Sequence, residues 1–316
     1  MPFMRATFKN FQSRKALAPL RHGKRLVRAW HLDSSLAPPL FVPPRNGLPL
    51  LLSIPHSGRD YPEWLLAEAR HGRRALASLE DPLVDRLAWR ALAAGFGAVI
   101  ARAPRGAIDC NRSIDELDPA AIAPDPATGR GASPVGPRAQ HGLGIIASRT
   151  HRHGALWRRP LSLKRFAARR SAAYDSYHGL INAELARLAE RHGTVLLLDL
   201  HSMPPRTPGA PRVVIGNRHG SSAADWLAAE AAAIATRHGF PAALNDPYAG
   251  GHIVERHGRP QSGIHALQVE IDRSCYLAND LMSAGNGFDR ASQLVAALAS
   301  GLAEAIARPA TAIAAE

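Results

Sequence analysis

Cysteine is nearly absent from this 316-residue chain, which holds only Cys110 and Cys275. Two thiols cannot build a disulfide framework, and neither stands in a CxxC or zinc-finger spacing. Both read as small buried hydrophobes in a reducing compartment. No apolar run approaches the roughly 20 residues of a membrane helix; the longest, such as 194–198, are strand-sized. The N-terminus shows no continuous apolar segment with a cleavage site, so the cytoplasm is the expected compartment. Lysine is scarce as well: Lys9, Lys15, Lys24 and Lys164 are the only four among 39 basic residues. A surface built for nucleic acid clusters its cations with aromatics between them. Here the arginines scatter along helices rich in Ala and Leu. A membrane protein is excluded, and nucleic acid is not the expected partner.

What is present is globular in composition, with 46% hydrophobic and 21% charged residues and a formal net charge of +13. Eight of those surplus charges, Arg5, Lys9, Arg14, Lys15, Arg21, Lys24, Arg25 and Arg28, precede the first acid, Asp33. The expected organisation is a basic, poorly ordered leader and Pro-rich linker over 1–46, then a single α/β domain over 47–310. Pro38, Pro39, Pro43 and Pro44 mark the linker.

Within that domain, 48–54, 98–103, 194–200, 212–215 and 265–271 read as strands, with a short one at 107–110. Helical spacing is expected over 61–71, 82–94 behind Asp81 as N-cap, 161–192, 223–238 and 287–306. The stretch 115–144 has no periodicity and reads as a long functional loop. Strands alternating with helices, with apolar strand cores, predict a mostly parallel, mixed central sheet with helices on both faces.

In such sheets, sites gather beyond the C-terminal strand ends. Reading those ends gives Pro55-His56-Ser57-Gly58, Ile108-Asp109-Cys110-Asn111-Arg112, Asp199-Leu200-His201-Ser202 and Gln268-Val269-Glu270-Ile271-Asp272. Each polar residue has a bland alternative as a turn or strand-end hydrogen-bonder. A carboxylate inside an apolar strand, as at Glu270, is costly unless paired or metal-linked. Together the positions fit one chemistry, in which two imidazoles and a carboxylate hold Zn²⁺ and another carboxylate handles the proton of water. His71, His192 and His238 end helices before glycine and need no further role.

The ordered motifs PHSG, IDCNR, LDLHS, GGHI…HG and ALQVEID resemble the N-formylglutamate amidohydrolase family, from about Leu48 to Leu277. That family is in turn distantly similar to the zinc carboxypeptidases and the aspartoacylase/succinylglutamate desuccinylase group. The resemblance implies a zinc-carboxypeptidase-like three-layer α/β sandwich. It implies His56 and His201 as ligands of Zn²⁺ or another divalent metal, Asn111 with Arg112 on a substrate carboxylate, and Glu270 as catalytic acid/base. Arg112 would also steady the oxyanion, and Arg149 and Arg256 are further candidates for substrate carboxylates. Asp199 could orient an imidazole, whereas Tyr174 and His178 read as packing.

The wider group supplies its carboxylate ligand as His-x-x-Glu, and here that position is Arg59. The expected replacement is Asp81, with Asp85 or Asp60 as substitutes and helix capping as the competing role of Asp81. The implied reaction is hydrolysis of the amide of a small N-acyl amino acid, N-formyl-L-glutamate first. A non-catalytic binder on the same fold, or a metal hydrolase of a peptide or N-succinyl amino acid, stays open from sequence.

Overall fold

The computed structural model describes residues 36–129 and 133–307. The basic cluster of the expected leader lies outside the described residues. Seven strands form the central sheet: β1 (Leu40–Val42), β2 (Leu50–Ile54), β3 (Gly97–Ile100), β6 (Val195–Met203), β7 (Val213–Gly216), β8 (Ala242–Leu244) and β9 (Ile264–Asp272). The remaining two, β4 (Arg149–Thr150) and β5 (Gly154–Ala155), make a small separate ribbon. The sheet order is β1-β3-β2-β6-β9-β7-β8. The inner four strands, β3, β2, β6 and β9, run parallel, whereas β1 and β7 are antiparallel to the neighbours they flank. Part of the Pro-rich tract is therefore sheet, because Leu40–Val42 pairs with β3 and its prolines fall outside the paired residues.

Period-two alternation sorts the strand side chains into two apolar layers. On one face Leu52, Leu196, Leu198, Leu200, Leu267 and Val269 pack under α3 (Val84–Leu87), α4 (Trp89–Ala93), α8 (Asp225–Arg237) and α10 (Phe288–Ala307). On the other, Leu51, Val99, Val195 and Leu197 meet Tyr177, Ile181, Leu185 and Leu188 of α7 (Ser176–His192) and Ile253 and Val254 of α9 (His252–His257). Each fully buried Leu contributes about 1.5–3 kcal/mol relative to leaving it exposed. The result is a mixed sheet between two helical layers. A third cluster packs α1 (Glu63–Glu68) and α2 (Gly72–Ala77) against the 101–161 segment, which includes α5 (Gly136–Gln140), and against α6 (Leu163–Arg169).

Several local expectations give way to tertiary contacts. The helix expected over 161–192 is α6 and α7 joined by a π-helical turn, Arg170–Asp175. The helix expected over 82–94 is α3 and α4, and Asp81 makes no side-chain cap to it, since Leu83 takes a left-handed φ of 60°. Residues 107–110 form no strand: Ala107 and Cys110 lie in turns and the two residues between them are irregular. Among the described residues no helix is long and apolar enough to cross a membrane.

Candidate active site

On β6 the residues facing α7 are Val195, Leu197, Asp199 and His201, so the apolar pattern gives way to polar side chains at the strand's C-terminal end. On β9 the equivalent change comes at Gln268 and Glu270, and register sets His201 beside Glu270. His56 follows β2, the neighbour of β6 on its other side. Parallel strands thus deliver all three polar ends to one edge of the sheet.

There His56, Asp81 and His201 converge, each about 2% exposed. His201 Nδ1 lies 3.1 Å from His56 Nδ1 and 3.1 Å from Asp81 Oδ2, and His56 Nδ1 lies 3.2 Å from the same oxygen. Each ring is held from its far side. His56 Nε2 donates to Asp109 Oδ1 at 2.7 Å and His201 Nε2 donates to Asp199 Oδ2 at 2.8 Å. A neutral imidazole that gives its Nε2 proton keeps a bare lone pair on Nδ1. Two such nitrogens and a carboxylate oxygen meet within 3.2 Å of one another, an arrangement that a shared cation, a proton or a metal ion, satisfies. The spacing matches the roughly 3.3 Å edge of a tetrahedron with metal–ligand bonds of about 2.0 Å. The donor set of two imidazoles and one carboxylate suits Zn²⁺.

The neighbours fix each ligand's orientation. Arg273 Nη2 donates to Asp81 Oδ1 at 3.1 Å and to the Glu80 carbonyl at 2.6 Å, leaving only Oδ2 for the imidazoles. Asp199 Oδ1 accepts Ser53 Oγ at 2.6 Å, and Ser53 meets Tyr177 Oη at 2.8 Å. Asp109 Oδ2 accepts Arg105 Nε at 2.8 Å. Burial works against the Asp81 carboxylate, yet the His201 and His56 hydrogen bonds and charges outweigh it and hold its pKa well below the ordinary range. Burial likewise opposes a charged His201, but Asp199 and Asp81 outweigh it and push that pKa well up, so a proton occupies the Nδ1 position until a metal ion displaces it. The alternative carboxylates are spent elsewhere, Asp85 on Arg59 at 2.5 Å and Asp60 on Arg102 at 2.7 Å.

A cavity of about 460 Å³ opens onto this cluster, and Glu270 lines it. Its carboxyl accepts Gln268 Nε2 at 3.0 Å, and burial raises its pKa to about 7 against the opposing charge of His201. Asn111 and Arg112 line the same cavity. Asn111 Oδ1 accepts the Ile253 N–H at 2.8 Å, and a Cβ at Gly251 would stand 2.4 Å from Asn111 Nδ2, so only glycine fits there. Arg112 is braced by donating Nε to Leu143 O at 2.9 Å and Nη1 to Asn111 O at 2.8 Å. Burial lowers its pKa from the ordinary value.

The structure does not bring the other two expected arginines to the cavity. Arg149 is exposed and donates to Gln140 O at 2.6 Å, and Arg256 is exposed on α9; neither lines the cavity. Arg138 on α5 lines the cavity instead, whereas Arg149 opens the β4 strand of the separate ribbon. Arg105, Arg138, Gln268 and Arg273 escaped the sequence reading. Only Gln268 carried a signal, standing two residues before Glu270 on the same strand face.

Residues 48–277 match the N-formylglutamate amidohydrolase family. The N-formylglutamate deformylase of Pseudomonas aeruginosa is 29% identical over 245 residues, covering 74% of this chain and 84% of that protein. Its Pseudomonas putida counterpart of the same name is 29% identical over 247 residues, covering 73% and 82%. The crystal structure of N-formylglutamate amidohydrolase from Ralstonia eutropha superimposes with a TM-score of 0.77 at 28% identity, over 86% of this chain and 99% of that one. A protein of Agrobacterium tumefaciens shares the fold at a TM-score of 0.57 and 19% identity, over 89% of this chain and 98% of its own. With more than half of its length matched and the ligand-type residues gathered at one sheet edge, the chain belongs to the N-formylglutamate amidohydrolase family.

Proposed function

We propose that this chain hydrolyses N-formyl-L-glutamate to formate and glutamate, with a divalent metal ion, Zn²⁺ by donor chemistry, held by His56, Asp81 and His201. The observation that carries the metal is the meeting of His56 Nδ1, His201 Nδ1 and Asp81 Oδ2 within 3.2 Å of one another while each ring commits Nε2 to another carboxylate. The names of the Pseudomonas and Ralstonia relatives support the substrate.

When bound there, the ion supplies Lewis acidity, bringing the pKa of a water toward about 7 and polarising the formyl oxygen. Glu270, beside His201, takes a proton from the attacking water as the new C–O bond forms. The same carboxyl then delivers that proton to the amine nitrogen as the C–N bond breaks. Arg105 stays paired with Asp109 and keeps positive charge at the cavity wall, where the oxyanion develops. N-formylglutamate brings two carboxylates. Arg112, braced by two carbonyls, presents its remaining N–H groups to one, and Arg138 receives the other.

The test is elemental analysis of the purified protein together with a panel of N-acyl amino acids assayed with and without chelator. About one metal per chain and chelator-sensitive release of formate from N-formylglutamate are expected. Full turnover after complete metal removal, or preference for an N-succinyl amino acid or peptide, would overturn the proposal.

A further inference from the structure

A second hollow of about 450 Å³ lies between α1, α6 and the chain that follows β5. That is within the range of small-molecule sites. Four guanidiniums line it, Arg158, Arg159, Arg165 and Arg169, against the single carboxylate of Glu68. Glu68 is already divided, with Oε2 accepting Arg169 Nη2 at 2.7 Å and Oε1 pairing with Arg165. Arg169 is only 2% exposed. Its guanidinium stands over the rings of Trp64 and Trp157, 4.9 and 5.5 Å from their centroids, and Nη1 donates to Ala107 O at 3.2 Å.

Arg169 Nε is buried with no hydrogen-bond partner among the described residues. Burial also brings the Arg169 pKa down to about 10, the mark of a cation held under apolar cover. Trp157, Ile146 and Leu161 give the same lining an apolar part. Surplus positive charge beside apolar lining suits a ligand that is an anion at one end and apolar at the other. The Glu68 carboxylate limits how much negative charge the hollow accepts, which favours a monoanion.

We propose that this hollow is a second ligand site that binds an aryl monocarboxylate, its carboxylate among Arg158, Arg159 and Arg165 and its ring on Trp157. The site lies apart from the Glu270 cavity and shares no lining residue with it.

The test titrates the purified full-length protein with benzoate and, separately, with inorganic phosphate, by calorimetry and tryptophan fluorescence. One benzoate per chain is expected, with Kd of about 1 mM or tighter and phosphate at least tenfold weaker. Trp157→Phe should reduce the fluorescence change while calorimetric binding persists. Arg159→Gln with Arg165→Gln should weaken benzoate by tenfold or more. Arg159→Gln alone, at an exposed side chain with no side-chain partner among the described residues, should weaken it by threefold and keeps the test valid if the double variant melts early. Arg112→Gln should leave benzoate binding unchanged. Absence of saturation by 10 mM benzoate, preference for phosphate, or equal loss in Arg112→Gln would overturn the assignment.

Discussion

His56 and His201 point Nδ1 at each other across 3.1 Å while each commits Nε2 to a carboxylate of its own. Two imidazoles in that posture repel unless a positive charge sits between them. The arrangement is maintained from behind, by Asp109 with Arg105 on one side and by Asp199 with Ser53 on the other. Positive charge, ligand orientation and proton transfer therefore depend on separate residues, and substitutions can tell them apart.

Removing a ligand differs from loosening one. His201→Ala should abolish stoichiometric zinc. Asp199→Asn and Asp109→Asn should retain it with affinity lowered about 10–100-fold, because they release only the ring orientation. Competition with a chromophoric chelator measures both, and unchanged zinc content in His201→Ala would remove it from the metal site.

Glu270→Gln should fold and hold metal like the parent chain while kcat falls by roughly two to four orders of magnitude. The amide keeps the hydrogen-bonding shape but accepts no proton. Single-turnover formate release, with zinc analysed in the same sample, checks this. Parental turnover would take Glu270 out of the mechanism.

Arg138 lines the cavity and is exposed, and it belongs to neither the metal-type cluster nor its hydrogen-bond supports. Arg138→Ala should raise KM for N-formylglutamate about tenfold with kcat little changed, the pattern of lost ground-state binding. Arg149→Ala, outside the cavity, should leave both constants near parental values. Steady-state kinetics on the two variants separates the positions.

Behind the site, His257 Nε2 lies 2.9 Å from His178 Nδ1, and His178 Nε2 donates to Cys110 O at 3.0 Å. Burial, then the charge of neighbouring cations and imidazoles, depresses the pair to about 2 for His178 and about 3 for His257. The unfolded chain takes up these protons near pH 6.5, whereas the folded chain refuses them until far lower. Their stabilising contribution is therefore complete above about pH 6.5 and is lost as pH falls toward 3. The slope is up to roughly 1.4 kcal/mol per pH unit for each ring. Urea unfolding at pH 7.5, 6.5 and 5.5 should show this loss, and His257→Gln should flatten it. An identical slope in that variant would count against the pair.

Much of this molecule was legible in one dimension. The apolar runs at 48–54, 194–200 and 265–271 could only be strands buried on both faces, and they are β2, β6 and β9. A charged or imidazole residue where such a run ends is conspicuous, which is why His56, His201 and Glu270 stood out. Shorter elements left no such trace. β8 has only three residues, and the π-helical turn before α7 leaves the helical spacing of apolar residues nearly intact.

Hydrophobic periodicity is local and survives in the sequence, so strand positions, helix-rich stretches and the polar strand ends were determined there. The choice among Asp60, Asp81 and Asp85 was not, since the three carboxylates are chemically alike. The fold sets Asp81 beside the two imidazoles: its N–H bonds the His56 carbonyl at 3.0 Å, Leu83 turns left-handed, and Arg273 arrives from 192 residues away to hold the spare oxygen. The same holds for Arg138 over Arg149. Which side chain reaches a site across a loop depends on contacts between distant segments, and only the folded chain creates them.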